Sequence, residues 1–89
     1  MKVYKYEIPV EGYPVLRLPD GWRPLHVAEQ HEKLCLWALV DTSAPSRDHR
    51  FRVVGTGHAF DDADEFPRHV GSTLMCGGSL VFHIFAAES

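Results

Sequence analysis

Turn chemistry cuts this chain into pieces too short for ordinary helices. Gly12-Tyr13-Pro14, Pro19-Asp20-Gly21, His31-Glu32-Lys33, the polar stretch Asp41 to Ser46, Gly55-Thr56-Gly57 and Gly77-Gly78 punctuate it from one end to the other. Glycine supplies positive φ, proline fixes its own φ, and Asp, Ser and Thr bond their own backbone instead of continuing a ladder. What lies between the breaks has the length of strands.

The hydrophobic pattern inside those pieces agrees. Residues 3–8 alternate, with Tyr4, Tyr6 and Ile8 on one face and Lys5 and Glu7 on the other, the period-2 signature of a half-buried strand. Val15 to Leu18 forms a short second strand. Leu25 to Gln30 forms a third, with Leu25 and Val27 alternating with His26. The continuous apolar run Leu34 to Val40 predicts a central strand buried on both faces; a helix is the competing reading, but seven residues is short and the turn-like flanks favour a strand. Arg50 to Val54 returns to a strand ending at Gly55. Residues 59–71 read as a loop with one helical turn around Asp62 to Phe66. Ser72 to Cys76 and Ser79 to Phe85 flank Gly77-Gly78 as a tight hairpin. The expected fold is all-β with one short helical turn, a small antiparallel sandwich or barrel of six to seven strands.

With 89 residues there is room for one domain, spanning 1–89, and one core. The composition, 45% apolar and 24% charged, is that of an ordinary globular chain and leaves no need to invoke disorder. A domain this short buries a modest fraction of its surface, which favours a homo-oligomer. The formal charge of −3 provides no global positive field, so nonspecific nucleic-acid binding is not expected. Cys35 and Cys76 make no disulfide framework and no zinc-finger spacing. No signal-peptide core and no apolar run of membrane-spanning length is visible, which predicts a cytoplasmic protein without membrane contact.

Gly55-Thr56-Gly57-His58 directly follows a strand, and two glycines around a hydroxyl let backbone N–H groups approach an anion. The competing structural role is a tight turn or bulge with Thr56 capping a backbone group. The turn lacks the Lys of a Walker loop and the third glycine of a dinucleotide fingerprint. His58, after the turn, and His83, inside an apolar strand, are the histidines suited to acid–base or ligand contacts, since imidazole changes charge near neutral pH. A turn histidine and a core or interface histidine are the plainer alternatives. Arg47, Arg50 and Arg52 could clamp phosphate or carboxylate, or form a solvated edge balanced by Asp61, Asp62, Asp64 and Glu65. Trp37 fits the core, with stacking on a base as its functional alternative. No motif calls for a metal or a cofactor.

At Leu36-Trp37-Ala38-Leu39-Val40-Asp41, Gly55-Thr56-Gly57-His58 and Leu80-Val81-Phe82-His83-Ile84-Phe85 the chain resembles a family of small uncharacterised proteins of tailed bacteriophages and prophages. Tyr4-Lys5-Tyr6-Glu7, Pro19-Asp20-Gly21 and Gly71-Ser72-Thr73 extend the likeness over nearly the whole chain, with Ser72 inserted where Gly-Thr is expected. The resemblance implies an accessory protein in the cytoplasm of the infected bacterial host, and it suggests sequestration of a nucleotide signal made by an antiviral system.

Three functions compete. The leading one is a binding protein, without catalysis, that holds a small anionic nucleotide-type ligand through Gly55, Thr56, Gly57, His58 and Arg52, with His83 and Trp37 shaping the pocket. The second is a phosphodiesterase-type enzyme using His58 and His83 as base and acid. The third is a protein-interaction module that inhibits a host factor through a sheet edge or aromatic patch.

Overall fold

The computed structural model describes residues 1–87. Among the described residues seven strands run in the order β1 (Lys2–Glu7), β2 (Val15–Pro19), β3 (Arg23–Gln30), β4 (Lys33–Val40), β5 (Ser46–Gly55), β6 (Arg68–Met75) and β7 (Leu80–Ala86), with one 3₁₀ turn at Ala63–Glu65 between β5 and β6. All pairings are antiparallel. They make two sheets, β1-β4-β3 and β2-β5-β7-β6. The 16 Å shortest dimension of the backbone suits two facing layers, which pack about 10 Å apart. The all-β sandwich is the fold expected from the punctuation and alternation of the sequence.

The core lies between the sheets. Leu34, Leu36, Ala38 and Val40 of β4 face Leu16 and Leu18 of β2, Phe51 and Val53 of β5, and Ile84 and Ala86 of β7 across it. Leu18, Leu36, Ala38, Val40, Phe51 and Ile84 are fully buried, and each of the larger side chains among them contributes about 1.5–3 kcal/mol by leaving water. β4 is central in its sheet, as its apolar run predicts, although only its inner face is sealed: on the outer face Cys35 is buried while Trp37 and Leu39 are half-buried.

Four local differences from the sequence reading have physical causes. A bulge between Pro24 and His26 takes Leu25 out of the β3 ladder, so Leu25 is 52% exposed while Val27 is buried. β5 begins at Ser46 rather than Arg50, because β2 supplies a partner for Arg47 and Asp48. β6 begins at Arg68, inside the stretch read as loop, because β7 reaches back to pair Arg68 with Ala86. The glycine hairpin is wider than two residues: pairing stops at Met75 and Leu80, and Cys76, Gly77 and Gly78 all take positive φ. In the same left-handed region His31 and Glu32, at φ 54 and 66, close the β3–β4 hairpin without a glycine.

The loop between β5 and β6 folds back over the outer face of the larger sheet. Arg52 organises it. Its Nη1 donates to the carbonyls of Val53 at 2.9 Å and Gly12 at 3.4 Å, and its Nε donates to Asp62 at 3.4 Å. The guanidinium lies 4.6 Å from the Tyr13 ring centre and 5.7 Å from that of Phe60, while the Tyr13 hydroxyl donates to Asp62 at 2.6 Å. That hydrogen bond is the main cause holding the Asp62 carboxyl below its ordinary value, and the same bond raises the Tyr13 phenol. Phe66, fully buried, pins the far end of the loop, with the Arg50 guanidinium 5.4 Å from its ring centre.

Candidate functional site

The glycine turn is built for close approach. The His58 N–H donates to the Gly55 carbonyl at 3.0 Å, with Gly57 at φ 85 in the position where a turn of this kind needs a left-handed residue. Gly55 is paired with Phe82, and the space its Cβ would occupy is filled by the His58 ring, whose Cε1 and Nδ1 stand 2.8 Å from it. The Thr56 N–H donates to the Val81 carbonyl at 3.1 Å. With the Thr56 and His58 amides engaged inside the protein, the turn does not present the run of free N–H groups that makes a phosphate nest.

His58 and His83 therefore lie on opposite sides of the sheet. The His58 ring occupies the side that Phe82 faces, and His83, one residue along β7, faces the other. The paired-imidazole arrangement that acid–base chemistry by these two would require is not formed. The imidazole linked to His83 is instead His69, through Ser72, neither of which the sequence marked as a ligand contact.

On the outer face the turn, the last strand and β6 meet in a continuous row. Thr56 Oγ1 lies 2.7 Å from His83 Nε2, Ser72 Oγ lies 2.7 Å from His83 Nδ1, and His69 Nε2 lies 3.0 Å from Ser72 Oγ. Cross-strand register creates this row: Ser72 is opposite His83, and His69 is opposite Phe85. A bulge between His69 and Gly71 turns His69 back toward Ser72, three residues on. Thr56, Ser72 and His69 are exposed and His83 is half-buried, so the row is open to solvent along its length.

An aromatic row runs beside the polar one. The Phe85 ring centre is 4.8 Å from that of Phe60 and 5.2 Å from that of His69, within the range of favourable ring contacts. Phe60 is held there by the Arg52-centred loop. At the end of the sheet an open cleft of about 250 Å³ is bordered by Gly55, Thr56 and His58 on one side and by Ser79 and Leu80 of the hairpin on the other. That volume is below the roughly 300–1,000 Å³ of pockets that enclose a drug-sized molecule, and its lining by His58 and Phe82 places it toward the side of the sheet opposite His83.

The residues singled out in the sequence thus separate. Thr56 and His83 come together; Gly55 and His58 border the adjoining cleft, and Gly57 shapes the turn between them. Arg52 is committed to the loop, with its donors directed at Asp62 and two carbonyls. Trp37 belongs to the other sheet, its ring centre 5.7 Å from that of His26, and cannot reach this row. Arg47 donates to Asp20 at 2.7 Å, at the opposite end of β5. There the buried His49 stands edge-on to Trp22, with ring centres 6.0 Å apart, as part of the core.

Cys35 is buried and Cys76 exposed, both as free thiols. Among the described residues no cluster of three or more His, Cys, Asp or Glu side chains is placed to hold a metal ion, and no helix is long and apolar enough to cross a membrane.

No curated protein and no solved structure matches the chain. The profile of a domain of unknown function, DUF7352, matches residues 1–89, and the chain belongs to that family.

Proposed function

We propose that this protein binds a small anionic, nucleotide-type ligand, without transforming it, on the outer face of the β5-β7-β6 sheet. The observation that supports this most is the unbroken row Thr56–His83–Ser72–His69 alongside the rings of Phe60, Phe85 and His69. Hydroxyl and imidazole groups supply donors for phosphate or ribose oxygens. A base laid on the aromatic row gains about 1–3 kcal/mol from stacking. Binding needs no bond to break, and in the setting suggested by the phage resemblance it would suffice to remove an antiviral nucleotide signal from the cytoplasm of an infected cell. Arg52 serves this site indirectly, by holding Phe60 in place, and Trp37 has no part in it.

Isothermal titration against a panel of cyclic and ADP-ribose-derived nucleotides tests the reading. Binding to at least one of them, weakened in His83→Ala and in Phe85→Ala, is expected. The absence of heat with every member at tens of micromolar protein would refute it. Ligand recovered intact after heat denaturation of the complex separates holding from turnover. Assembly into a homo-oligomer, expected from the modest burial a chain of this length achieves, belongs to the same proposal and is checked by sedimentation equilibrium.

A further inference from the structure

We infer that β1 is a dimerisation edge: it pairs antiparallel with β1 of a second copy of this chain, in a register centred on Tyr6 that sets Lys5 opposite Glu7 of the partner subunit. The inference rests on the assembly part of the reading above, to which it gives an interface, and not on the ligand.

Among the described residues the smaller sheet ends in β1 and β3, and the larger in β2 and β6. An edge strand offers unpaired backbone groups to any other chain, and folded proteins blunt such edges with proline, bulges or cover. β2 follows Pro14 and ends on Pro19. β3 contains Pro24 with a bulge beside it. β6 has a bulge between His69 and Gly71 and packs at Gly71 against Val27 of β3. β1 has none of these. Its sequence Lys-Val-Tyr-Lys-Tyr-Glu holds no proline or glycine, and its register with β4 runs unbroken from Lys2 to Glu7. Lys5 and Glu7, which could guard the edge, are drawn back over the sheet: Lys5 Nζ donates to Gln30 of β3 at 2.8 Å, and Glu7 accepts from Lys33 of β4 at 3.3 Å.

The backbone fixes which residues can meet. The Ile8 N–H donates to the Leu34 carbonyl at 2.8 Å. Antiparallel ladders alternate in steps of two, so Tyr6, Tyr4 and Lys2 bond β4, while the N–H and C=O groups of Val3, Lys5 and Glu7 point out of the sheet edge. Strand pairing between two copies must therefore set these outward residues against one another. That matches the faces of the two sheets and lays the core-side tyrosines of one copy beside those of the other. The monomer leaves these rings incompletely covered: Tyr6 packs against the core, but Tyr4 is 41% exposed, with its ring centre 6.5 Å from that of Tyr6.

Charge chooses among the registers. Centred on Lys5, the pairing opposes two ammonium groups; centred on Tyr4, it sets Lys5 against Val3 of the partner subunit. Centred on Tyr6, it sets Lys5 against the partner's Glu7 on both sides of the twofold axis, and opposite charges across a strand pair stabilise where like charges destabilise. The ammonium has further donors beyond the one Gln30 takes, and the carboxylate has a second oxygen, so the bonds within each copy survive. An interface made mainly of one strand pair is small, below about 1,200 Å², so the dimer should form in a concentration-dependent way.

Sedimentation velocity of the full-length chain from micromolar to millimolar concentration is the test. Wild type should pass from monomer to dimer. Lys5→Glu should weaken the dimer about tenfold, because two attractive pairs become repulsive, and the double variant Lys5→Glu, Glu7→Lys should restore it. Lys5→Pro removes an outward N–H without touching the bonds to β4, so it should keep the wild-type circular dichroism spectrum and lose the dimer; the charge-swapped pair carries the test if that variant does not fold. In a Cys76→Ser background, which removes the exposed thiol, Tyr6→Cys should form a disulfide between copies on mild oxidation and Tyr4→Cys should not, since the facing Cα atoms at Tyr6 would lie about 4.5 Å apart. A monomer at every concentration would overturn this inference and the expected assembly together, leaving nucleotide binding to its own titration. An oligomer indifferent to Lys5→Glu and Lys5→Pro would overturn the β1 interface while sparing the assembly. A disulfide through Tyr4→Cys in preference to Tyr6→Cys would overturn the register.

Discussion

Replacing Gly71 by alanine adds one methyl group where β3 closes on β6, one residue before Ser72. The new Cβ would stand 2.8 Å from Val27 Cγ2 and 2.9 Å from Val27 Cβ, against an ordinary carbon–carbon contact of about 3.5–4.0 Å. Val27 is 5% exposed and stiff about χ1 because it is β-branched, so rotation offers no escape and the two strands must separate. Overpacking of this kind costs about 1–3 kcal/mol. The lower chain entropy of alanine returns about 0.5–1 kcal/mol, leaving a net loss centred on about 1 kcal/mol and reaching about 2.5 kcal/mol if neither strand yields. In a domain of this size each kcal/mol moves the melting temperature by about 4–8 °C. Urea unfolding followed by circular dichroism measures the loss. Gly55→Ala is the control: its Cβ would also meet atoms at 2.8 Å, but they belong to the exposed His58 ring, which can swing aside, so a change within about 0.5 kcal/mol is expected. If Gly71→Ala proves as stable as wild type, the close approach of the two strands at Gly71 and Val27 is wrong.

Glu32→Gly should stabilise the protein by about 0.5–1 kcal/mol, because relief of a left-handed backbone worth about 1–2 kcal/mol exceeds the added entropy cost of glycine; a raised urea midpoint with unchanged slope is the readout. Arg52→Ala should cost about 2–3 kcal/mol through lost carbonyl bonds and ring contacts, and Arg52→Lys should recover only part of it for want of a planar fork. Both appear as faster proteolysis within residues 56–67. Asp62 has a folded pKa depressed below its ordinary 3.8, so its contribution is complete above that value and is lost as pH falls through the lower folded one. Asp62→Asn should therefore flatten part of the acid limb of stability against pH; Asp41, also depressed by hydrogen bonds from Ser43, accounts for another part. An acid limb unchanged in Asp62→Asn would show that the Tyr13–Asp62–Arg52 clamp does not contribute.

Much of the fold was legible because its signals are local. Turn residues and period-2 alternation placed all seven strands to within a few residues, and the register of the last hairpin was within reach: counting back from Cys76 and Ser79 sets Ser72 opposite His83. What hid the candidate site was the assignment of residues 68–71 to a loop. His69 shows no alternation to mark it as strand, since a bulge beside it breaks the period, and only pairing with β7 makes it one. His58 misled for a related reason, because adjacency to a glycine turn says nothing about which side of the sheet a ring will occupy.

The sequence by itself determined the class of structure: short strands, one core and a glycine turn after β5, all governed by backbone conformations and hydrophobic periods that act over a few residues. The tertiary structure decided which side chains meet. Thr56, Ser72, His69 and His83 come from the turn and two strands, and their row exists only because strand register and one bulge align them on the same face. Arg52 and Trp37, read as ligand contacts, were directed elsewhere by a folded-back loop and by membership of the other sheet. Apart from Ser72 and His83, which the last hairpin sets opposite each other, these pairings depend on the sum of the core contacts, which no local pattern along the chain encodes.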